Sequence, residues 1–340
     1  MEDPDAPTLP DANGILFAYA LHGDGTARRL AAPDIAGLVG RKSADHRRED
    51  LVWVHMDARH AGARGWLEQA IGHIDPLIVD ALLAEETRPR MLEFAEGMLV
   101  ILRGVNLNPD ADPEDMVSIR LWIDGLCVIT MRRRPLISIE DIRQLAESGK
   151  GPREGGDFLS MLCVRLQERM EPVVSALDDD IDDLEERMLE SPDIRLRRRV
   201  TSLRMRAIML RRYFAPQRDV IQHLRSSEKR WIGTKDKRHL QESADRLTRY
   251  VEDLDAIRER AQIVKDELTH ASSERMNKNM FVISIFSAVF LPLTFLTGLI
   301  GMNVDGIPHA NNPHAFMVIG GLCAAIAVFE IVLFKIMKWF

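Results

Sequence analysis

The sequence predicts an α+β membrane protein: a cytoplasmic α/β domain, a long helical stalk and two C-terminal transmembrane helices per chain. Three observations predict it. Short apolar runs punctuated by Gly, Pro, Asn and Asp fill residues 14–150. Long helical patterns fill residues 157–300. Two stretches almost free of charge, each long enough to cross a bilayer, close the chain.

The elements follow in order. Residues 1–13, MEDPDAPTLPDAN, are acidic and Pro-rich, lack the apolar core of a signal peptide, and read as a short disordered lead. In the α/β domain, 14–150, strands are expected at 14–21, 51–57, 98–104, 116–124 and 126–131, with the last two joined as a hairpin near Asp124-Gly125. Helical stretches such as 64–72 and 74–86 lie between the strands. Residues 151–276 form a long-helix hairpin and stalk. One helix covers 157–190 and carries seven acids in DDDIDDLEE (178–186); a second covers 193–225 and carries nine arginines between Arg195 and Arg218. An antiparallel hairpin lays these runs together and neutralises both. The alternative is that the acidic helix binds a divalent cation, for which clustered carboxylates are suitable hard ligands, although no EF-hand spacing is present. A third helix starts near Lys235, with apolar residues from Leu240 to Ala271 at steps of three and four, the spacing of a coiled-coil-like stalk. Running from 236 to 300, it would be roughly 100 Å long.

Residues 277–340 are the transmembrane domain, with spans at 279–300 and 315–334 and an external loop at 301–314. No charge occurs between Lys278 and Asp305, and the next charge after that is Glu330. The whole chain carries a formal −7; residues 276–340 are a net +1, so the rest carries −8. Arg275 and Lys278 precede the first span, Lys335 and Lys338 follow the second, and the loop has no Lys or Arg. The positive-inside rule then places both termini in the cytoplasm. The acidic balance excludes a broad nucleic-acid surface, and three cysteines exclude a disulfide framework. No P-loop, GxSxG or HExxH motif suggests an enzyme.

Along the first span, Asn277, Met280, Ser284, Ser287, Leu291, Thr294, Gly298 and Gly301 recur at steps of three and four, and six of these eight are polar or glycine. The stripe reads equally as a helix-packing face or as the wall of a water-filled path. Two helices cannot enclose such a path, so a pore needs several chains. Pro292 removes one backbone hydrogen bond from this helix. Glu330 lies in the second span, within reach of Lys335 by snorkelling; the interfacial role is favoured over a proton-carrying one. His55 and His60 in HMDARH are at a spacing that fits no zinc pair and read as ordinary.

The first span ends in Gly301-Met302-Asn303, and here the run NKNMFVISIFSAVFLPLTFLTGLIGMN (277–303) resembles the pore helix and GMN signature of CorA-type divalent metal ion transporters. A GMN at the outer end of the penultimate span, a short loop, a final span and the basic end KIMKWF strengthen the match, and EETRPRMLEF (85–94) resembles the family's cytoplasmic region less specifically. The resemblance covers essentially the whole chain. It implies a homopentameric funnel with the first spans lining the pore and no cofactor besides the transported cation. It implies that Asn303 holds a hydrated cation through its amide oxygen, with Gly301 and Met302 shaping the selectivity filter. By alignment from Asn303, the pore-lining positions are Asn277, Met280, Ile283, Ser284, Ser287, Leu291, Thr294 and Gly298, with Met280 and Leu291 as apolar constrictions.

Ile300 before the motif and Val304-Asp305-Gly306-Ile307-Pro308 after it are similar to the ZntB-like branch, associated with zinc and with proton-linked transport; Asp305 departs from that branch's usual glycine. Asp305, His309 and His314 would attract cations at the outer mouth, imidazole favouring zinc over magnesium. The resemblance thus implies zinc uptake through the inner membrane of a bacterium. A magnesium, cobalt or nickel channel of the same fold is one alternative (cadmium is a further cargo), and a membrane-anchored oligomeric sensor is another.

Overall fold

A computed structural model describes residues 10–39, 50–70, 75–190, 193, 195–302 and 314–336. The chain divides into two compact units, 1–265 and 266–340.

The first unit is built on one seven-stranded mixed sheet. Strands β1 (Ile15–Leu21), β3 (Leu51–Asp57), β5 (Met98–Gly104), β6 (Val117–Ile123) and β7 (Cys127–Arg132) correspond to the five expected strands. Two short strands, β2 (Ala27–Arg29) and β4 (Arg90–Glu93), extend the two edges and give the order β2-β1-β3-β7-β6-β5-β4. Only three and four residues long, rich in arginine and largely exposed, they lack the apolar alternation that marks a strand. The β3–β7 pair is parallel and the other pairs are antiparallel. The expected β6–β7 hairpin forms at Asp124-Gly125. The Asp124 carboxylate accepts the backbone N–H groups of Leu126 and Cys127, and Gly125 takes a φ of +90° that L side chains rarely adopt.

Helices cover both faces of the sheet. On one face, α1 (Ala32–Val39), α2 (Ala63–Ala70) and α3 (Pro76–Leu83) bury Ile35, Leu67 and Leu82 in one cluster with Val54, Trp122 and Ile129. Asp75 caps α3 by accepting the Leu77 N–H, and Pro76 occupies its first position. On the other face lie α4 (Ile137–Glu147) and the start of α5 (Gly155–Glu190), where fully buried Phe158 meets the edge of Trp53 at 5.2 Å between ring centres.

Helices α5, α6 (Leu196–Ser226) and α7 (Thr234–Ile300) match the three expected long helices. Every apolar position expected for the stalk from Leu240 to Val264 is buried. Gln167 of α5 donates to the Ser243 carbonyl of α7 at 2.6 Å, and Arg211 of α6 pairs with Asp255 of α7 at 2.7 Å. In the second unit, α7 continues to Ile300 and α8 spans Ala315–Ile336; each holds an apolar stretch long enough to cross a membrane.

Candidate functional site: the polar stripe of the first span

Each expected pore position that is described lies on α7 or just beyond it and is exposed on the single chain. Met280 and Ile283 are each 61% exposed and Leu291 71%. Asn277, Ser284, Ser287, Thr294 and Gly298 are exposed as well, and so are Gly301 and Met302 at the helix end. The half-buried residues of the same segment are Ile285, Ala288, Val289, Pro292, Leu293, Leu296 and Ile300. At about 100° per residue, this shielded set and the stripe centre about 150° apart around the helix axis. The two sets therefore occupy nearly opposite faces. The partner span repeats the pattern: Ile319, Cys323, Ile326, Ala327, Glu330 and Phe334 form one half-buried face of α8.

The stripe carries oxygen atoms but no net charge. The Ser284 hydroxyl donates to the Met280 carbonyl at 2.8 Å, which satisfies its hydrogen and leaves its lone pairs free to accept. Thr297, off the stripe, likewise donates to Leu293 O at 2.9 Å and so stays compatible with an apolar helix surface. The Gly301 N–H reaches Thr297 O at 2.9 Å, so helical bonding persists to the glycine of the motif. Phe286 and Phe290 stack one turn apart, 6.3 Å between ring centres. A stripe of neutral oxygens and small residues suits a hydrated cation, because it can bind the hydration shell without trapping the ion.

Asn303, Asp305 and His309 lie outside the described residues. His314 is exposed, and its carbonyl accepts the Val318 N–H at the start of α8. Glu330 lies in the last third of α8. Lys335 is five positions further on, about 140° around the helix, and no ion pair joins the two among the described residues. Instead Glu330 lies on the half-buried face of α8 with Oε2 buried and unpartnered.

The acidic run of α5 is held by arginines. Asp183 pairs with Arg187 at 2.7 Å and with Arg199 of α6 at 3.0 Å, and Asp180 pairs with Arg206 at 3.3 Å. Arg260 of α7 gathers Asp178, Asp182 and Glu185. The charge-paired reading holds, and among the described residues no cluster of His, Cys, Asp and Glu is arranged to hold a metal. His55 is a core residue: fully buried on β3, it contacts the Thr130 hydroxyl at 2.8 Å and stacks on Phe17.

Known proteins agree with this architecture. The family model described as CorA-like Mg2+ transporter protein matches residues 48–335. The divalent cation transporter CmaX of Pseudomonas aeruginosa is 38% identical over 97% of this chain and 98% of its own. The zinc transport protein ZntB of Pectobacterium atrosepticum is 34% identical over 89% of each chain. The solved structure of full-length CmaX superposes with a TM-score of 0.82 over 97% of this chain and 99% of its own. An α/β domain, a long helix continuing into an apolar span, a second apolar span and the GMN tripeptide between them thus occur together with close sequence relatives. The chain belongs to the family of CorA-like divalent cation transporters, within its ZntB-like branch.

Proposed function

We propose that the protein carries divalent metal cations across the bacterial inner membrane, with zinc preferred and uptake coupled to protons, through a pore lined by the first spans of a homopentamer. One observation carries the pore: the stripe from Asn277 to Gly298 is exposed and lies opposite the half-buried face of α7. Polar side chains do not face hydrocarbon, so a stripe in this position calls for water or for other copies of the chain. Asn303 then presents a ring of amide oxygens at the outer mouth, and Asp305, His309 and His314 concentrate cations in front of it. Met280 and Leu291 narrow the path, while Asn277, Ser284, Ser287 and Thr294 hydrate the ion along it. The distribution of Arg275, Lys278, Lys335 and Lys338 favours cytoplasmic termini and an external loop. The zinc preference draws on the likeness to the zinc transport protein ZntB, and the proton coupling on the resemblance of the residues around Gly301-Met302-Asn303 to that branch.

Reconstitution in liposomes tests the reading. Wild-type protein is expected to take up zinc faster than magnesium, and faster still with an inward proton gradient. Asn303→Ala is expected to lower uptake of both. Equal flux in the two proteins would refute the asparagine filter. A second reading, a magnesium, cobalt or nickel channel, is favoured by Asp305, a hard carboxylate where the zinc branch carries glycine. Faster magnesium flux, indifferent to the gradient, would select it. A monomeric mass in detergent would contradict any shared pore.

A further inference from the structure

A cationic cavity in the α/β domain takes no part in the pore. It encloses about 800 Å³, the size of a small-molecule site. Six arginines and four carboxylates line it. It is built on one face of the sheet. Arg103 of β5 pairs across the ladder with Ser118 of β6, and Arg120 follows two residues later on the same face. Arg133 leaves the end of β7 beside them. All three reach the segment that leaves α3. Arg103 donates to the Thr87 carbonyl (2.5 and 3.1 Å) and to that of Met116 (2.7 Å), Arg120 to Ala84 O (2.8 Å) and Arg133 to Leu83 O (3.4 Å).

Arg120 lies behind this wall and does not itself line the cavity. It is fully buried, yet its Nε and one terminal nitrogen have no hydrogen-bond partner among the described residues. No carboxylate pairs with it or with Arg103 there. Glu85 goes to Arg133 at 3.2 Å, and Glu114 goes to Arg206 at 3.1 Å. A buried guanidinium with unmet donors is costly and calls for an anion. Burial, with Arg133 and Arg103 nearby, pushes Arg120 down to about 10, so it still carries its charge at neutral pH. Ser118, Glu85, Arg103 and Arg133, the immediate neighbours of Arg120, all line the cavity.

We propose that this cavity binds a small phosphate-type oxyanion, with Arg103 and Arg133 on its cationic wall and the buried charge of Arg120 behind them. Guanidinium forks match tetrahedral oxyanions through paired N–H donors. The aromatic of the wall, Tyr213, already carries the Arg103 guanidinium 4.2 Å from its ring centre, with Arg212 at 5.7 Å. A nucleobase therefore finds no open ring to stack on, which selects a compact anion.

Thermal unfolding of the full-length protein in detergent tests this, using inorganic phosphate and pyrophosphate against sodium chloride of equal ionic strength. Pyrophosphate is expected to raise the midpoint by roughly 5 °C or more near saturation. Arg120→Met is expected to weaken the response through the loss of a nearby buried charge, while the anion-free midpoint changes little because the lost hydrogen bond to Ala84 O is offset by removal of an unpaired buried charge. Arg133→Gln, altering a partly exposed residue, is expected to weaken binding about tenfold through the loss of one charge-assisted contact; it keeps the test open should the first variant not fold. No response to either anion beyond that to chloride would overturn the proposal, as it would if a neighbouring chain's carboxylate filled the site. An undiminished response in both variants would mean an adventitious ion only and would overturn it equally.

Discussion

Lowering the pH from 7 to 5 is expected to cost the folded state about 2 kcal/mol through His55 alone. The ring is fully buried on β3. The Thr130 hydroxyl accepts from Trp53 Nε1 at 2.9 Å and donates to Val54 O at 3.3 Å, so His55 Nδ1–H is the donor in the 2.8 Å contact with Thr130. His55 Nε2 has no partner among the described residues, so a second ring proton would find no acceptor. Burial, aided by the Arg132 charge, pushes the imidazole down from 6.5 to about 3. The sign follows from which state takes the proton. Between 6.5 and about 3 the unfolded chain binds a proton that the folded chain refuses, so stability falls as pH falls through that window. The slope approaches about 1.4 kcal/mol per pH unit, giving about 2 kcal/mol at pH 5 and roughly 4–8 °C in the melting midpoint. Circular dichroism melts of wild type and His55→Gln at both pH values check this. Glutamine preserves a donor to Thr130 and cannot ionise, so the variant is expected to lose that much less than the wild type. Identical pH slopes in the two proteins would refute a neutral, buried His55.

Three further perturbations follow from local geometry. Gly125→Ala places a Cβ 2.6 Å from the Trp231 ring at a φ of +90°, so a loss of about 1–3 kcal/mol in denaturant titration is expected. Arg260→Met leaves Asp178, Asp182 and Glu185 without their shared cation. Because two of those carboxylates are largely exposed, the expected loss is only about 1 kcal/mol and shrinks in high salt, and a salt-independent loss would assign the effect to packing. Ser287→Leu replaces a stripe hydroxyl with a bulky apolar group and is expected to cut metal flux in liposomes at least tenfold, the size of a barrier rise of about 1.4 kcal/mol. Val282→Leu, on the opposite side of the helix, is expected to leave flux nearly unchanged, and equal effects of the two substitutions would count against a pore at this face.

Legibility in the sequence tracked the strength of the periodic signal. The stalk could be read because Leu240 to Val264 repeat at helical steps, and each of those side chains is buried. The central strands could be read because runs such as LVWVHMD and MLVILRG are too short and too apolar for anything but buried strands. Strands β2 and β4 carry no such run, since pairing at a sheet edge asks only for backbone and leaves the side chains in water. The charge pairing of α5 and α6 was legible from composition, but the reach of Arg260 from α7 into the same acids was not, because it depends on how three helices pack. Arg120 left a faint trace, a lone cation inside the apolar strand VSIRLWI, whose meaning rests on neighbours distant in sequence.

The stripe shows where sequence stops and geometry begins. Small and polar residues at steps of three and four serve a packed helix face and a wet wall equally well, and composition cannot separate the two. Orientation can. Had the stripe coincided with Ile285, Ala288, Pro292 and Leu296, it would already be half covered within the single chain, and close packing would account for it. It lies on the other side, where Asn277, Ser284, Ser287 and Thr294 have no cover. A lone chain in a bilayer would turn these groups toward lipid, leaving amide and hydroxyl dipoles in a medium with no hydrogen bonds to offer. Only further copies of the chain, or water held among them, remove that penalty, and a ring of identical helices supplies both at once. In the proposed homopentamer the same face that is costly in a monomer would line a path for a hydrated ion, so on that proposal assembly and transport stand or fall together.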